Sequence, residues 1–177
     1  MRVRDELTGG ESWVGYFTKM DTGRYRQDLP AGRRRALRAV HCALFAAAAA
    51  AFFAAAAMPG ELNFRRWAVI PESLAMLGLI RLAAALIHYL AAPREMRFAE
   101  HNRSSFALRR TAAFTSAALL ASGVSAAVFA ARQDAAGSAV AACALFSAAA
   151  AAMAAMYVIE RRVRYIRLPD ADGGEIN

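Results

Sequence analysis

Four ionisable side chains, His41, Glu72, Arg81 and His88, stand inside long, nearly uncharged stretches of this 177-residue chain. Each could do chemistry there. An ionisable group on an apolar helix is costly, so it marks a ligand, a partner or a pathway, or it reaches back to water. Arg81 has no obvious acid to pair with. Glu72 is nine residues away, which on a helix is about 13.5 Å along the axis and on the opposite face. Three routes remain for Arg81. It can snorkel to the surface, meet carbonyls and hydroxyls such as those of Thr115, Ser116 or Ser122, or bind an anion or partner from outside the chain. Glu72 falls about one turn inside its boundary, placed for interfacial water near Arg65 or Arg66 rather than for carrying a proton. His41 and His88 fall near the same end of two consecutive stretches. Antiparallel neighbours would hold them at similar depth, the geometry of axial ligation of a b-type haem. Arg81 and His88 are seven residues apart and share a face. Each stretch has a single histidine and no second pair, so the expectation is no cofactor. Two histidines without a nearby carboxylate make no metal site.

The elements that carry these groups follow from where charge is absent. Ala39 to Met58 holds 20 residues and Trp67 to Ala92 holds 26, with the four groups above as the exceptions apart from the Cys42 thiol. Thr111 to Ala131 holds 21 and Ala135 to Ile159 holds 25, with no charge at all. About 20 residues of helix cross a hydrocarbon core. A soluble bundle needs a polar face at helical spacing, and three of these stretches have none. The sequence therefore predicts an all-α bundle of four transmembrane helices, over about 36–58, 67–92, 111–131 and 135–160. Twelve of the 20 residues from Ala39 to Met58 are Ala, so Leu44, Phe45, Phe52 and Phe53 must supply most of that span's insertion energy. The run is longer than a secretory signal core and begins well into the chain, which argues against cleavage.

Composition excludes other classes. Apolar residues make up 58% of the chain, too many for a disordered protein, and two cysteines cannot staple one this long. Cys42 and Cys143 fall at different depths and read as small core residues. No Walker loop, GxGxxG, CxxC, HExxH or GxSxG is present, so no enzyme is expected.

Arginine is the other signal: there are 21 Arg and one Lys. Eighteen basic residues fall before span one, between spans two and three, and after span four; three (Arg65, Arg66, Arg132) fall on the opposite side. Basic residues stay cytoplasmic, so both termini are expected in the cytoplasm. Arg33, Arg34, Arg35, Arg94, Arg97, Arg109, Arg110, Arg161 and Arg162 then form a surface for anionic headgroups. Acids dilute the N-terminal arm, and nucleic acid is not an expected partner. The Arg-over-Lys and Ala bias points to a GC-rich bacterial genome, and with it to a bacterial inner membrane.

Three regions result: a basic, aromatic arm (1–34), the transmembrane domain (35–168) and a disordered tail (169–177). In the arm, Trp13 to Lys19 and Arg24 to Leu29 flank Asp21-Thr22-Gly23. Either a small β-hairpin or an irregular headgroup-bound segment fits. Arg94 to Arg110 reads as a surface helix with Met96, Phe98, Phe106 and Leu108 touching lipid. Ala118, Ser122 and Ala126, with Gly123 and Ala127 beside them, form ridges that suit close helix packing.

The arrangement resembles small four-span bacterial membrane proteins of unassigned function. The likeness rests on Thr22-Gly23-Arg24-Tyr25, the basic helix start, the short loop after Pro59, Leu77-Gly78-Leu79-Ile80-Arg81 and Ala92-Pro93-Arg94-Glu95-Met96. It covers most of residues 20–168. It implies the same topology and an Arg81 belonging to the shared pattern, lends no activity, and does not include His41 or His88. The expected function is a non-enzymatic membrane protein acting through helix packing or a docked partner, including a second copy of itself. The alternatives are a small transporter or channel component with Arg81 as its anion site, and a haem protein using His41 and His88.

Overall fold

The computed structural model describes residues 24–58, 65–133 and 137–168. Four long helices carry the fold: α1 (Ala31–Ala56), α2 (Arg66–Ala91), α3 (Ala107–Gln133) and α4 (Gly137–Arg162). All four are long and apolar enough to cross a membrane. The chain is thus the all-α bundle expected of a multi-pass membrane protein. Alanine favours these helices because it loses no rotamer freedom in them. Helix α1 starts directly after Pro30, which is extended (φ −63°, ψ 152°) and whose carbonyl accepts the Arg34 N–H at 3.1 Å. Helix α3 has a helical approach: a turn at Phe98–His101 and a π-helical stretch at Asn102–Phe106 lead into it without a break.

The helices pack in the order α2, α3, α4, α1, while α1 and α2 meet only sparsely. Small residues set the spacing. A Cβ on Gly78 of α2 would stand 2.6 Å from Thr115 Oγ1 and 3.3 Å from the Thr115 Cα. A Cβ on Gly123 of α3 would stand 3.3 Å from Ser147 Oγ. Ser116 Oγ donates across the α3–α4 contact to the Ala150 carbonyl at 2.9 Å. Ala118, Ser122 and Ala126 are buried as expected of a packing ridge, and Ala127 is exposed. On α4 one buried line runs Ala139, Ala142, Phe146, Ala149, Met153, Met156 and Glu160, the three- and four-residue spacing of a helix face turned inward. Outward faces are apolar too. Phe53, Ile80, Ile87, Leu120 and Val140 are among the exposed side chains, as suits a surface solvated by lipid.

A three-stranded antiparallel sheet closes one end: β1 (Arg24–Gln27), β2 (Glu95–Arg97) and β3 (Tyr165–Leu168), in the order β2-β1-β3. Arg24 to Gln27, in one flank of the hairpin offered as an alternative for the arm, is a strand, and its partners come from far along the chain. Both edges of β1 are occupied, by Met96 opposite Tyr25 on one side and Arg167 opposite Tyr25 on the other. The other flank, Trp13 to Lys19, lies outside the described residues. The surface helix is corrected. Met96 is buried in β2 and Leu108 in the bundle, Phe98 is half-buried, and only Phe106 is exposed. Amphipathic patterning over Arg94 to Arg110 reflected a strand and a helix start facing protein, not lipid. The tail after Leu168 lies outside the described residues.

Candidate functional site

Polar chemistry gathers at the end closed by the sheet, in two places of opposite character. The first is enclosed. Glu160, on the last turn of α4, is fully buried. Its Oε1 accepts from Ser105 Oγ at 2.6 Å and from Tyr165 OH at 2.7 Å. Its Oε2 faces His41 Nε2 at 3.9 Å, outside hydrogen-bonding distance. His41, from α1, is also fully buried. Its ring stands edge-on to Tyr89 of α2, centroids 5.3 Å apart. Tyr89 OH in turn receives Gln27 Nε2 from β1 at 3.3 Å. Side chains from α1, α2, α4, the π-helical stretch and two strands therefore meet around one carboxyl group. Burial and the Glu160 carboxylate hold the Tyr165 phenol well above its ordinary range, so it remains a protonated donor at any physiological pH.

Further contacts tie the sheet and the helix ends together. The His101 ring is stacked on Tyr25 (5.1 Å) and tilted against Tyr165 (4.5 Å). Arg38 Nη2 donates to the Ala92 carbonyl at 2.7 Å and the Tyr89 carbonyl at 3.4 Å. It thereby satisfies acceptors that the end of α2 leaves open.

The second place is open. Arg81 and His88 of α2 line a groove of about 610 Å³ with Arg103, Arg110, Thr111 and Phe114 from the other wall. Arg81 and His88 share a face, as their spacing requires, and both are exposed. Arg81 therefore lies on the outside of the bundle. The hydroxyls expected to receive it are committed elsewhere. Thr115 Oγ1 donates to the Thr111 carbonyl, Ser116 to Ala150 and Ser122 to Ala118.

The other expected site residues separate. Glu72 is half-buried near the start of α2 and does not line the groove. His41 and His88 are not brought together: His41 is enclosed against Tyr89 and Glu160, while His88 turns outward beside Arg81. One helical step of about 100° separates His88 from Tyr89, and it is Tyr89 that faces His41. Among the expected surface arginines, Arg33 lines a hollow between α1 and α4 with Arg162. Arg109, Arg110 and Arg161 line another between α3 and α4, where Arg109 and Arg110 both lie over the Phe106 ring. Arg35 and Arg94 are exposed and Arg34 is half-buried. Arg97 is in β2, where its backbone N–H donates to Glu100 Oε2 at 2.9 Å.

Sequence reasoning missed Glu160, the last residue of the fourth expected span, and did not place it among the groups that could do chemistry. Glu160 is the first residue after an uncharged run, so it reads as a boundary. Its spacing from Met153 and Met156 was the available signal, because it continues the buried line of α4.

The fold and the buried polar cluster define a multi-pass membrane protein with a sheet-capped four-helix bundle. Comparison with family models, with curated proteins and with solved structures finds no match to this chain.

Proposed function

We propose that this is a non-enzymatic subunit of a bacterial cytoplasmic membrane, with both termini in the cytoplasm, that presents the sheet as a docking face to an acidic partner protein. The observation that carries the reading is the composition of the sheet's outer face. Directly paired residues share a face, so the register sets Arg24 with Arg97 and Leu168, and Arg26 with Glu95 and Ile166. The opposite face carries Tyr25, Gln27, Met96 and Tyr165, which contact the bundle end or the buried cluster around Glu160, and the exposed Arg167 beside Tyr25. The outer face thus offers three guanidiniums against one carboxylate, with an exposed Ile166 among them. An acidic surface with an apolar contact complements it, and such charge matching steers encounter and fixes register.

Orientation is supported by the uneven distribution of arginine, and rigidity by the enclosed cluster. A docking face gains affinity when it is ordered before its partner arrives. The test is gentle extraction from native membranes followed by mass spectrometry of the intact assembly. The native chain is expected to carry a stoichiometric partner that the Arg24→Glu/Arg26→Glu variant loses. Repeated recovery of a lone chain in both forms would overturn the reading.

A further inference from the structure

We infer that the groove between α2 and α3 is a binding site for the phosphate of an anionic phospholipid, held by Arg81, Arg103 and Arg110. This stands apart from the docking face and does not depend on it.

The groove is built by spacing. On α2, Arg81, Ala85 and His88 fall at i, i+4 and i+7. On the facing wall, Arg103, Ala107, Arg110, Thr111 and Phe114 fall at i, i+4, i+7, i+8 and i+11. Ala85 and Ala107 are small and leave the space between the walls open. The chain runs toward the sheet along α2 and away from it along α3. His88 and Arg103 therefore lie toward the sheet end, and Arg81 and Phe114 deeper. Arg81 precedes the end of α2 at Ala91 by ten residues, about 15 Å of helix.

The lining is one-sided in charge. Three guanidiniums and an imidazole face the space, and among the described residues no carboxylate lines it. Four cationic or cation-capable groups without a counter-charge on a lipid-facing surface are costly by themselves. Phosphate oxygens match the guanidinium fork, whose donors can hold two oxygens at once.

The apolar surroundings select a lipid over a dissolved ion. Leu74 and Leu77 precede Arg81 by seven and four residues, share its face of α2 and are exposed, as is Phe114 across the groove. Acyl chains hanging from a phosphate at the arginines would lie along these side chains. Basic pockets of this kind between membrane helices suit anionic headgroups. Arg110 also borders the hollow on the other side of α3, so positive surface continues around that helix.

The test is native mass spectrometry of the full chain released from phosphatidylcholine nanodiscs with and without phosphatidylglycerol. The native chain is expected to retain phosphatidylglycerol in preference to phosphatidylcholine, and each arginine removed to cut that retention about fivefold. Arg81→Gln/Arg103→Gln/Arg110→Gln is expected to abolish the preference. Arg103→Gln alone, at an exposed position, gives a partial loss in a chain that keeps its melting temperature. Arg132→Gln, at an exposed position near the far end of α3, is expected to leave retention unchanged. Equal retention by the native and triple-variant chains would overturn the inference, as would a loss from the Arg132 control equal to that of the triple variant. If inorganic phosphate displaces the bound phosphatidylglycerol, a soluble anion is the ligand and the lipid assignment fails.

Discussion

Glu160 and Arg81 are both charge-bearing side chains on apolar helices, and the bundle treats them in opposite ways. Glu160 is turned inward at the end of α4's buried line, and the fold supplies its partners: two hydroxyls on one oxygen and an imidazole opposite the other. Arg81 is turned outward, and the fold surrounds it with more positive charge. A group whose partners all come from the chain is part of what holds the chain together. A group whose neighbours repel it needs a partner from outside. In a membrane protein the second kind points to a ligand and the first to architecture, although an intramembrane charge of either kind first attracts attention as a site.

The sharpest way to break this contrast is to remove the enclosed group. Glu160→Leu leaves the Ser105 and Tyr165 hydroxyls without their acceptor. The expected loss is about 2–6 kcal/mol, from about 1–3 kcal/mol for each donor left unsatisfied. Glu160→Gln keeps an oxygen for the hydroxyls and is expected to lose about 1–2 kcal/mol. Thermal unfolding in detergent, followed by helical circular dichroism, measures both. If Glu160→Leu melts with the native chain, the cluster holds nothing together and the contrast collapses.

A smaller effect is expected from the contact that fixes the groove's walls. Gly78→Ala places a methyl group 2.6 Å from Thr115 Oγ1 and 3.3 Å from the Thr115 Cα. Either the hydroxyl rotates or α2 moves off α3, and overpacking of this kind costs about 1–3 kcal/mol. Thr115→Ala in the same chain removes the nearest atom but not the backbone, so the melting temperature is expected to recover in part. Full recovery would mean that the side chain alone sets the helix spacing.

The contrast also shows what the sequence carried and what it did not. The four spans were legible because charge is excluded from whole helices, a signal that survives without any partner being known. The facing of Arg81 with His88 was legible because helical spacing fixes it. The sheet was not. Its strands lie in three segments separated by long helices, and four-residue or three-residue strands leave little alternation to read. Arg24 to Gln27 was recognised as strand-like, but its partners were sought locally, in the arm, because a hairpin is the nearest pairing. Glu160 was hidden by its position at a run's edge, and Tyr89 by the more conspicuous histidine beside it. Which of two adjacent residues faces the core depends on the helix's rotation about its axis, and packing sets that rotation.

Arg81→Gln carries the smallest expected effect on stability and separates the two regions most cleanly. Arg81 is exposed and pairs with no carboxylate of the groove. In lipid-stripped detergent the variant is therefore expected to melt within about 0.5 kcal/mol of the native chain. A ligand that binds only the folded state raises its stability in proportion to the logarithm of occupancy. Adding phosphatidylglycerol should then raise the melting temperature of the native chain more than that of Arg81→Gln, while phosphatidylcholine should raise both alike. The Glu160→Gln deficit should persist under every lipid, because its missing partners lie within the chain. A deficit for Arg81→Gln as large without lipid as with it would place Arg81 with the enclosed groups, and the groove would then be a part of the fold's own packing.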